Sequence, residues 1–277
     1  MERATIDGIE LEYEVWGLGE PVVLVHGSHV ADAFAPLLAE PVLTTCYRLI
    51  SYHRRGFAGS THSGAPVSIA QQAADCRALM QGLGVERAHI VGHSYGGVIA
   101  LQLALDAPQA VHSLALLEPA LLAVPSAPQF VEAMEPVLQM YQAGDKARAV
   151  DAFLQGACGP AYCRVLDRVL PGAFAQAVAD ADTFFLIEQP AIQEWTFTRE
   201  EARRITRPVL TVLGADSEAV WPGFREGRDL LLVWLPQAEQ FVLPRATHLL
   251  QVQNPRDMAE GLKAFFAGHP LQVPVSA

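Results

Sequence analysis

Positive charge is scarce in this chain. Lys and Arg number 19 against 30 Asp and Glu, a formal charge of −11 near neutral pH. No basic run appears, and a protein that docks on a phosphate backbone needs one, so nucleic acid is excluded as a partner. An anionic membrane surface is excluded on the same ground. Charged residues of both signs make up only 18% of the chain, below the roughly 25% usual for soluble domains. Uncharged apolar runs of about 18 residues, long enough to span a bilayer, are missing. Residues 1–17 carry no basic segment followed by an apolar one, so no secretory leader is expected. Cysteines are few. Cys46, Cys76, Cys158 and Cys163 show neither a Cys-x-x-Cys pair nor metal-ligand spacing with histidine. Free thiols in a cytoplasmic protein are the expectation.

What the chain has in quantity is apolar residues, 51% of 277 positions. That is ample for a large core and excludes a disordered chain. Alternation over 9–16 and apolar runs over 22–25, 47–52, 88–91 and 113–117 read as strands. Helical patterns lie between them. Residues 33–44 fit a helix despite Pro36 and Pro41. Ser68 is placed to cap a helix with apolar residues at Ile69, Ala73, Cys76, Leu79, Met80 and Leu83, and Gly84 ends it. Residues 95–105 read as a further helix. Strands alternating with helices predict a mostly parallel sheet covered on both faces.

The alternation stops near Leu122. From there to Arg204 only helical patterns appear, over 130–141, 146–155, 162–170 and 173–185, punctuated by proline. Strands resume over 209–213 and 240–243, and a helix over 255–266 closes the pattern. The chain is read as an α/β core, 1–121 and 205–277, interrupted by a helical segment over 122–204. That segment is too long for an ordinary connection. The tail over 268–277 is read as loose.

One stretch carries chemistry. His89-Ile-Val-Gly-His-Ser-Tyr-Gly-Gly-Val-Ile-Ala100 holds Gly92-x-Ser94-x-Gly96 between a strand and a helix. The match means little alone; the strand before it and the helix after it give it meaning. So tight a turn leaves no room for side chains at its corners, hence the flanking glycines. Ser94 then projects from the C-terminal edge of the sheet, at the positive end of a helix that favours developing negative charge.

With His26-Gly27 after one strand, Arg55-Gly56-x-x-Gly59-Ser60 after the next, the Ser94 elbow and a late His248, the chain resembles the α/β-hydrolase fold family over nearly its whole length. The resemblance implies an α/β fold: a mostly parallel eight-stranded sheet, helices on both faces, and a helical cap inserted after the sixth strand, where 122–204 falls. It implies oxyanion donors in the backbone N–H groups of Ser28 and Tyr95, and a base in His248 of Arg245-Ala-Thr-His-Leu-Leu. It implies no cofactor and no metal. His26 is read as pinning its own loop, His29 as lining the pocket, and His53 as structural or pocket-lining. His93 adjoins Ser94, but its side chain is expected to diverge.

The imidazole needs a carboxylate at its other nitrogen, and two positions compete. After the seventh strand comes Leu213-Gly214-Ala215-Asp216-Ser217. The family pattern puts the acid three residues past the glycine, at Ser217, so Asp216 is one residue early. Such a shift turns a side chain the other way. Glu118, in Leu116-Leu-Glu-Pro-Ala120, ends the sixth strand 24 residues after Ser94. A glutamate in so apolar a run needs a reason to be there. Haloalkane dehalogenases and some epoxide hydrolases carry their acid at this strand end. Glu118 is preferred, with Asp216 the alternative.

Those relatives use an aspartate nucleophile. Ser94 suits acyl transfer instead. The reading is a serine hydrolase for a small to medium apolar carboxylic ester, through an acyl-enzyme. Lactone, amide and carbon–carbon bond hydrolysis use the same machinery. A non-catalytic small-molecule receptor on the same fold is the alternative of another class. The aromatic stretch over 184–197 points to an apolar substrate, and His29, Trp195 and Trp221 are candidate pocket residues. Four tryptophans and a charge-poor surface leave a homodimer open.

Overall fold

A computed structural model of the chain describes residues 1–271. Its strands are β1 (Glu2–Ile6), β2 (Ile9–Trp16), β3 (Glu20–Val25), β4 (Tyr47–Tyr52), β5 (Ala88–His93), β6 (Val111–Leu117), β7 (Val209–Gly214) and β8 (Ala238–Leu243). They form one sheet in the order β1-β2-β4-β3-β5-β6-β7-β8. β2 pairs antiparallel with β1 and β4, and every pair from β4–β3 to β7–β8 is parallel. β5 and β7 are buried at every position, as a parallel strand covered on both faces must be.

The helices are α1 (Ala35–Leu38), α2 (Pro41–Thr44), α3 (Ile69–Gly82), α4 (Tyr95–Asp106), α5 (Ala127–Gln142), α6 (Lys146–Cys158), α7 (Tyr162–Val169), α8 (Ala173–Ala179), α9 (Gln189–Glu194), α10 (Arg199–Arg204), α11 (Gly223–Trp234), α12 (Leu250–Gln253) and α13 (Pro255–Gly268). A π-helix, Thr183–Glu188, precedes α9, and a short 3-10 turn, Ser217–Ala219, follows β7. Period-two alternation divides the core. Val23 and Val25 face α3, α4 and α11, while Val22 and Leu24 face α1, α2 and α13. Between β6 and β7 the chain forms helices only, from α5 to α10. Their apolar cluster, with Leu154, Leu166 and Phe184, continues into Val30, Ala33, Leu249 and Val252 of the core.

Several expectations shift. The helix over 33–44 is two short ones, because Pro41 starts a new first turn. The pattern over 173–185 breaks after Ala179, and the π-helix follows. β1 was illegible because it is a short edge strand rich in exposed polar residues. α11 begins Gly-Phe-Arg-Glu-Gly, and two weak helix formers hide its period. The tail is tied down as far as it is described. His112 Nε2 donates to the His269 carbonyl at 2.9 Å, and the Leu271 N–H donates to Glu20 at 2.9 Å. Residues 272–277 of that tail lie outside the described residues. None of the four cysteines is paired. No helix among the described residues is long and apolar enough to cross a membrane.

His53, just after β4, ties together two neighbouring segments at this end of the sheet. Its Nδ1 lies 3.1 Å from Glu12 Oε2, and its Nε2 lies 2.8 Å from Asp32 Oδ1. The ring therefore bridges β2 to the loop after β3 and is structural. Burial opposes its charged form, but Asp32 and Glu12 outweigh burial and raise its pKa. Its folded value thus exceeds its unfolded one. The stabilisation is complete below the ordinary histidine range and is lost as pH rises through the elevated value. His53→Gln should lower the melting temperature more near ~pH 6 than near ~pH 9. Calorimetry at both values checks this, and an equal loss at both would show that the ring acts by packing alone.

Candidate active site

Ser94 sits between β5 and α4 with φ 53° and ψ −120°, a conformation costly for any residue but glycine. The surroundings impose it. A Cβ on Gly92 would lie 2.4 Å from the Gly96 carbonyl oxygen, and one on Gly96 2.1 Å from that of Val25. The end of β6 clamps the turn: the Ser94 N–H donates to Leu117 at 3.0 Å, and Ser94 accepts from Ala120 at 3.1 Å. Gly27 lies against the turn from the other side, where a Cβ would come within 2.9 Å of Ser94 Cβ.

Ser94 Oγ lies 2.9 Å from His248 Nε2, and His248 Nδ1 lies 2.7 Å from Glu118 Oε2. The other carboxylate oxygen of Glu118 accepts the Gly214 N–H at 2.7 Å. An ionised carboxylate only accepts, so the proton sits on Nδ1 and the Nε2 lone pair faces the serine. Glu118 itself has a left-handed backbone, φ 43°, at the sheet edge, and is buried. Two contacts hold the His248 loop. The Phe224 ring stacks on the imidazole at 4.2 Å and 19°. His93 Nε2 donates to the His248 carbonyl at 2.8 Å. Burial, with His248 beside it, holds the His93 pKa well below the usual histidine range.

Asp216 is not in this series. The Ala215 and Asp216 N–H groups bond to the Leu243 and Ala246 carbonyls, and the chain turns there, with Asp216 at φ −105° and ψ 2° opening the 3-10 turn. Asp216 therefore points outward and is exposed, while Ser217 takes the inward position, fully buried. Glu118 faces His248 and Asp216 does not.

Ser28 and Tyr95 border the space in front of Ser94. Among the described residues no protein acceptor takes either N–H; Tyr95 opens α4, where such groups are free. A cavity opens there, walled by Phe130, Phe153, Phe184, Ile192, Trp221 and Phe224. A second, smaller one also reaches Ser94 and His248 and is walled by Val30, Leu154, Cys158 and Leu249. No charged side chain lines either one among the described residues.

Two pocket expectations fail. The His29 ring is buried against Phe153 and Phe184, at 4.9 and 4.3 Å, and lines neither cavity. Burial pushes its pKa down to about 3. Trp195 lies outside as well, stacked on Phe197 and donating to Gln102 at 2.8 Å. Trp221 does line the larger cavity. Sequence reasoning missed Phe224, the His93 contact and the Gly214 donor, since each joins residues far apart in the chain.

The elbow strain has a measurable consequence. Ser94→Gly and Ser94→Ala both remove the hydroxyl, but only glycine relieves the backbone. The glycine variant should be more stable by about 1 kcal/mol in urea unfolding. An equal or more stable alanine variant would show that the turn is not strained.

A family model described as the alpha/beta hydrolase fold matches residues 20–255. A fluoroacetate dehalogenase from a Burkholderia species is 38% identical over 128 residues, covering 42% of this chain and 40% of that protein. The enol-lactonase from Burkholderia xenovorans LB400 has a similar structure, with a TM-score of 0.81 at 23% identity, over 96% of this chain and 100% of the other. A thermophilic esterase from Thermogutta terrifontis gives a TM-score of 0.83 at 21% identity, over 98% and 100%. The chain spans only 31% to 40% of the length of the first curated relatives it matches. The two solved structures are likenesses of fold, and the family model covers most of the sequence. The chain belongs to the α/β-hydrolase fold family.

Proposed function

We propose that this protein is a serine hydrolase that cleaves a small to medium, neutral, apolar carboxylic ester through an acyl-enzyme. The observation that carries the reading is the hydrogen-bonded series Ser94–His248–Glu118 opening on an uncharged cavity. His248 Nε2 takes the Ser94 proton as Oγ attacks the ester carbonyl carbon. The carbonyl oxygen becomes an oxyanion and accepts from the Ser28 and Tyr95 N–H groups. The intermediate then collapses. The bond to the alkoxy oxygen breaks, His248 gives its proton to the departing alcohol, and the acyl group stays on Ser94. A water, deprotonated by His248, attacks the acyl carbon and releases the carboxylic acid, and Ser94 regains its proton. Glu118 stays ionised and stabilises the imidazolium. A lactone follows the same steps with its alcohol tethered to the acyl group.

The helices between β6 and β7 serve here as the cap. They supply Phe130, Phe153, Phe184 and Ile192 to the cavity wall, which excludes water and strengthens every charge interaction inside. A substrate carboxylate would enter that wall with no cation to meet it. The esterase and the enol-lactonase of similar fold are consistent with acyl transfer.

A panel of p-nitrophenyl esters tests the reading. Hydrolysis with a neutral acyl chain is expected, and a hemiester bearing a free carboxylate should be slower by about tenfold or more in kcat/KM. No turnover of any member by folded protein would favour the receptor reading. Glu118→Gln should lower kcat by roughly 10²- to 10⁴-fold, while Asp216→Asn stays within about twofold. Loss of turnover in Asp216→Asn alone would reverse the assignment of the acid.

A further inference from the structure

Behind the Ser28 N–H lies a buried cation that the steps above do not use. Arg54 follows β4 and is 1% exposed. Its Nε donates to the His26 carbonyl at 2.9 Å, and its Nη1 to Gln72 at 2.5 Å. Its Nη2 donates to the Gly27 carbonyl at 2.9 Å and to Glu188 Oε1 at 2.6 Å. Glu188 is fully buried and ends the π-helix of the helical segment. The Phe57 and Tyr95 rings lie 4.7 and 5.1 Å from the guanidinium carbon. The two carbonyls held this way belong to the loop that presents Ser28.

A trans peptide points its C=O and its N–H in opposite directions. The Gly27 carbonyl is fixed by two donors, Arg54 Nη2 and, at 2.7 Å, His26 Nδ1. The same peptide plane therefore aims the Ser28 N–H away from Arg54, and Ser28 borders the cavity at Ser94. His26 can donate from Nδ1 because its Nε2 accepts the Arg54 N–H at 3.0 Å, which sets a single neutral tautomer. Burial reinforces that neutrality by pushing its pKa well below the usual histidine range. A cation on the carbonyl also polarises the peptide, making its N–H a stronger donor.

We propose that Arg54 is a positioning residue for the oxyanion hole, and that Glu188 links this function to the helical segment. The guanidinium holds the Gly27–Ser28 peptide in the orientation a tetrahedral intermediate requires. This rests on the acyl-transfer reading above. Lysine cannot take over, since a compact ammonium lacks the planar fork that holds the His26, Gly27 and Glu188 oxygens together. A purely structural clamp between core and helical segment would use the same contacts but would leave the chemical step alone.

Kinetics separate the two roles. The variants are Arg54→Lys and Glu188→Gln, assayed with p-nitrophenyl butyrate and with butylboronic acid, whose tetrahedral adduct on Ser94 places an oxygen where the oxyanion forms. Arg54→Lys should lower kcat by about 10- to 100-fold per folded molecule and weaken the boronic acid by a similar factor. KM should stay within about threefold, and the pH profile should keep its shape while its plateau falls. Glu188→Gln, which retains an oxygen for Nη2, should move kcat and the boronic acid the same way by a smaller factor. It carries the test if Arg54→Lys does not fold. A lower melting temperature with kcat and inhibitor affinity unchanged would overturn the proposal and leave a structural clamp. Wild-type protein inert to both ester and boronic acid would overturn the acyl-transfer reading and this proposal with it; active wild type with unaffected variants overturns this proposal alone.

Discussion

The site depends on how closely the loop after β3 lies against the turn from β5 to α4. A side chain at Gly27, Gly92 or Gly96 would collide with backbone or with Ser94 itself. Removing those side chains lets three chain segments converge within a few ångströms. They are the Gly27–Ser28 loop, the strained Ser94 turn and the end of β6 that carries Glu118. The strain at Ser94 follows from this convergence, and so does the free N–H at the start of α4. A looser turn would retain the serine and lose the common focus of its partners.

Buried charge in this molecule is kept to one side of the chemistry. Glu118 accepts hydrogen bonds from the Gly214 N–H and from His248, and Arg54 pairs with Glu188. Both carboxylates are 2% exposed or less, so each would be costly without its partner. The cavity in front of Ser94 carries none of this charge and is walled by aromatic and aliphatic side chains. The polar side chains that border it are Ser28, Ser94, Tyr95, Gln189 and His248. The remainder of the cavity wall is apolar.

Much of this was legible before the structure because it leaves a local mark. The elbow has a fixed spacing between a strand and a helix, and Glu118 stands out as a carboxylate in an apolar run. The alternation of strands with helices and the long helical segment follow from periodicity. The rest depends on contacts between residues far apart in the chain. Phe224 lies on a helix whose glycines mask its pattern, and His93 reaches the His248 carbonyl across 155 residues of sequence. Asp216 was the alternative acid by its place just after the seventh strand. The turn past β7 leaves it exposed and buries Ser217 instead, which no local pattern reveals. His29 adjoins the oxyanion loop in sequence, yet its ring packs into the aromatic cluster with Phe153 and Phe184. Trp195 was placed near the cavity by the aromatic content of its neighbourhood, and its indole is instead engaged by Gln102.

The proposed chemistry requires that His248 activate Ser94. Intact mass after brief exposure to a fluorophosphonate, with the modified peptide sequenced, tests it most directly. A single adduct on Ser94 is expected, which His248→Ala fails to form over the same time. No adduct on folded wild-type protein, or equal labelling of wild type and His248→Ala, would contradict it.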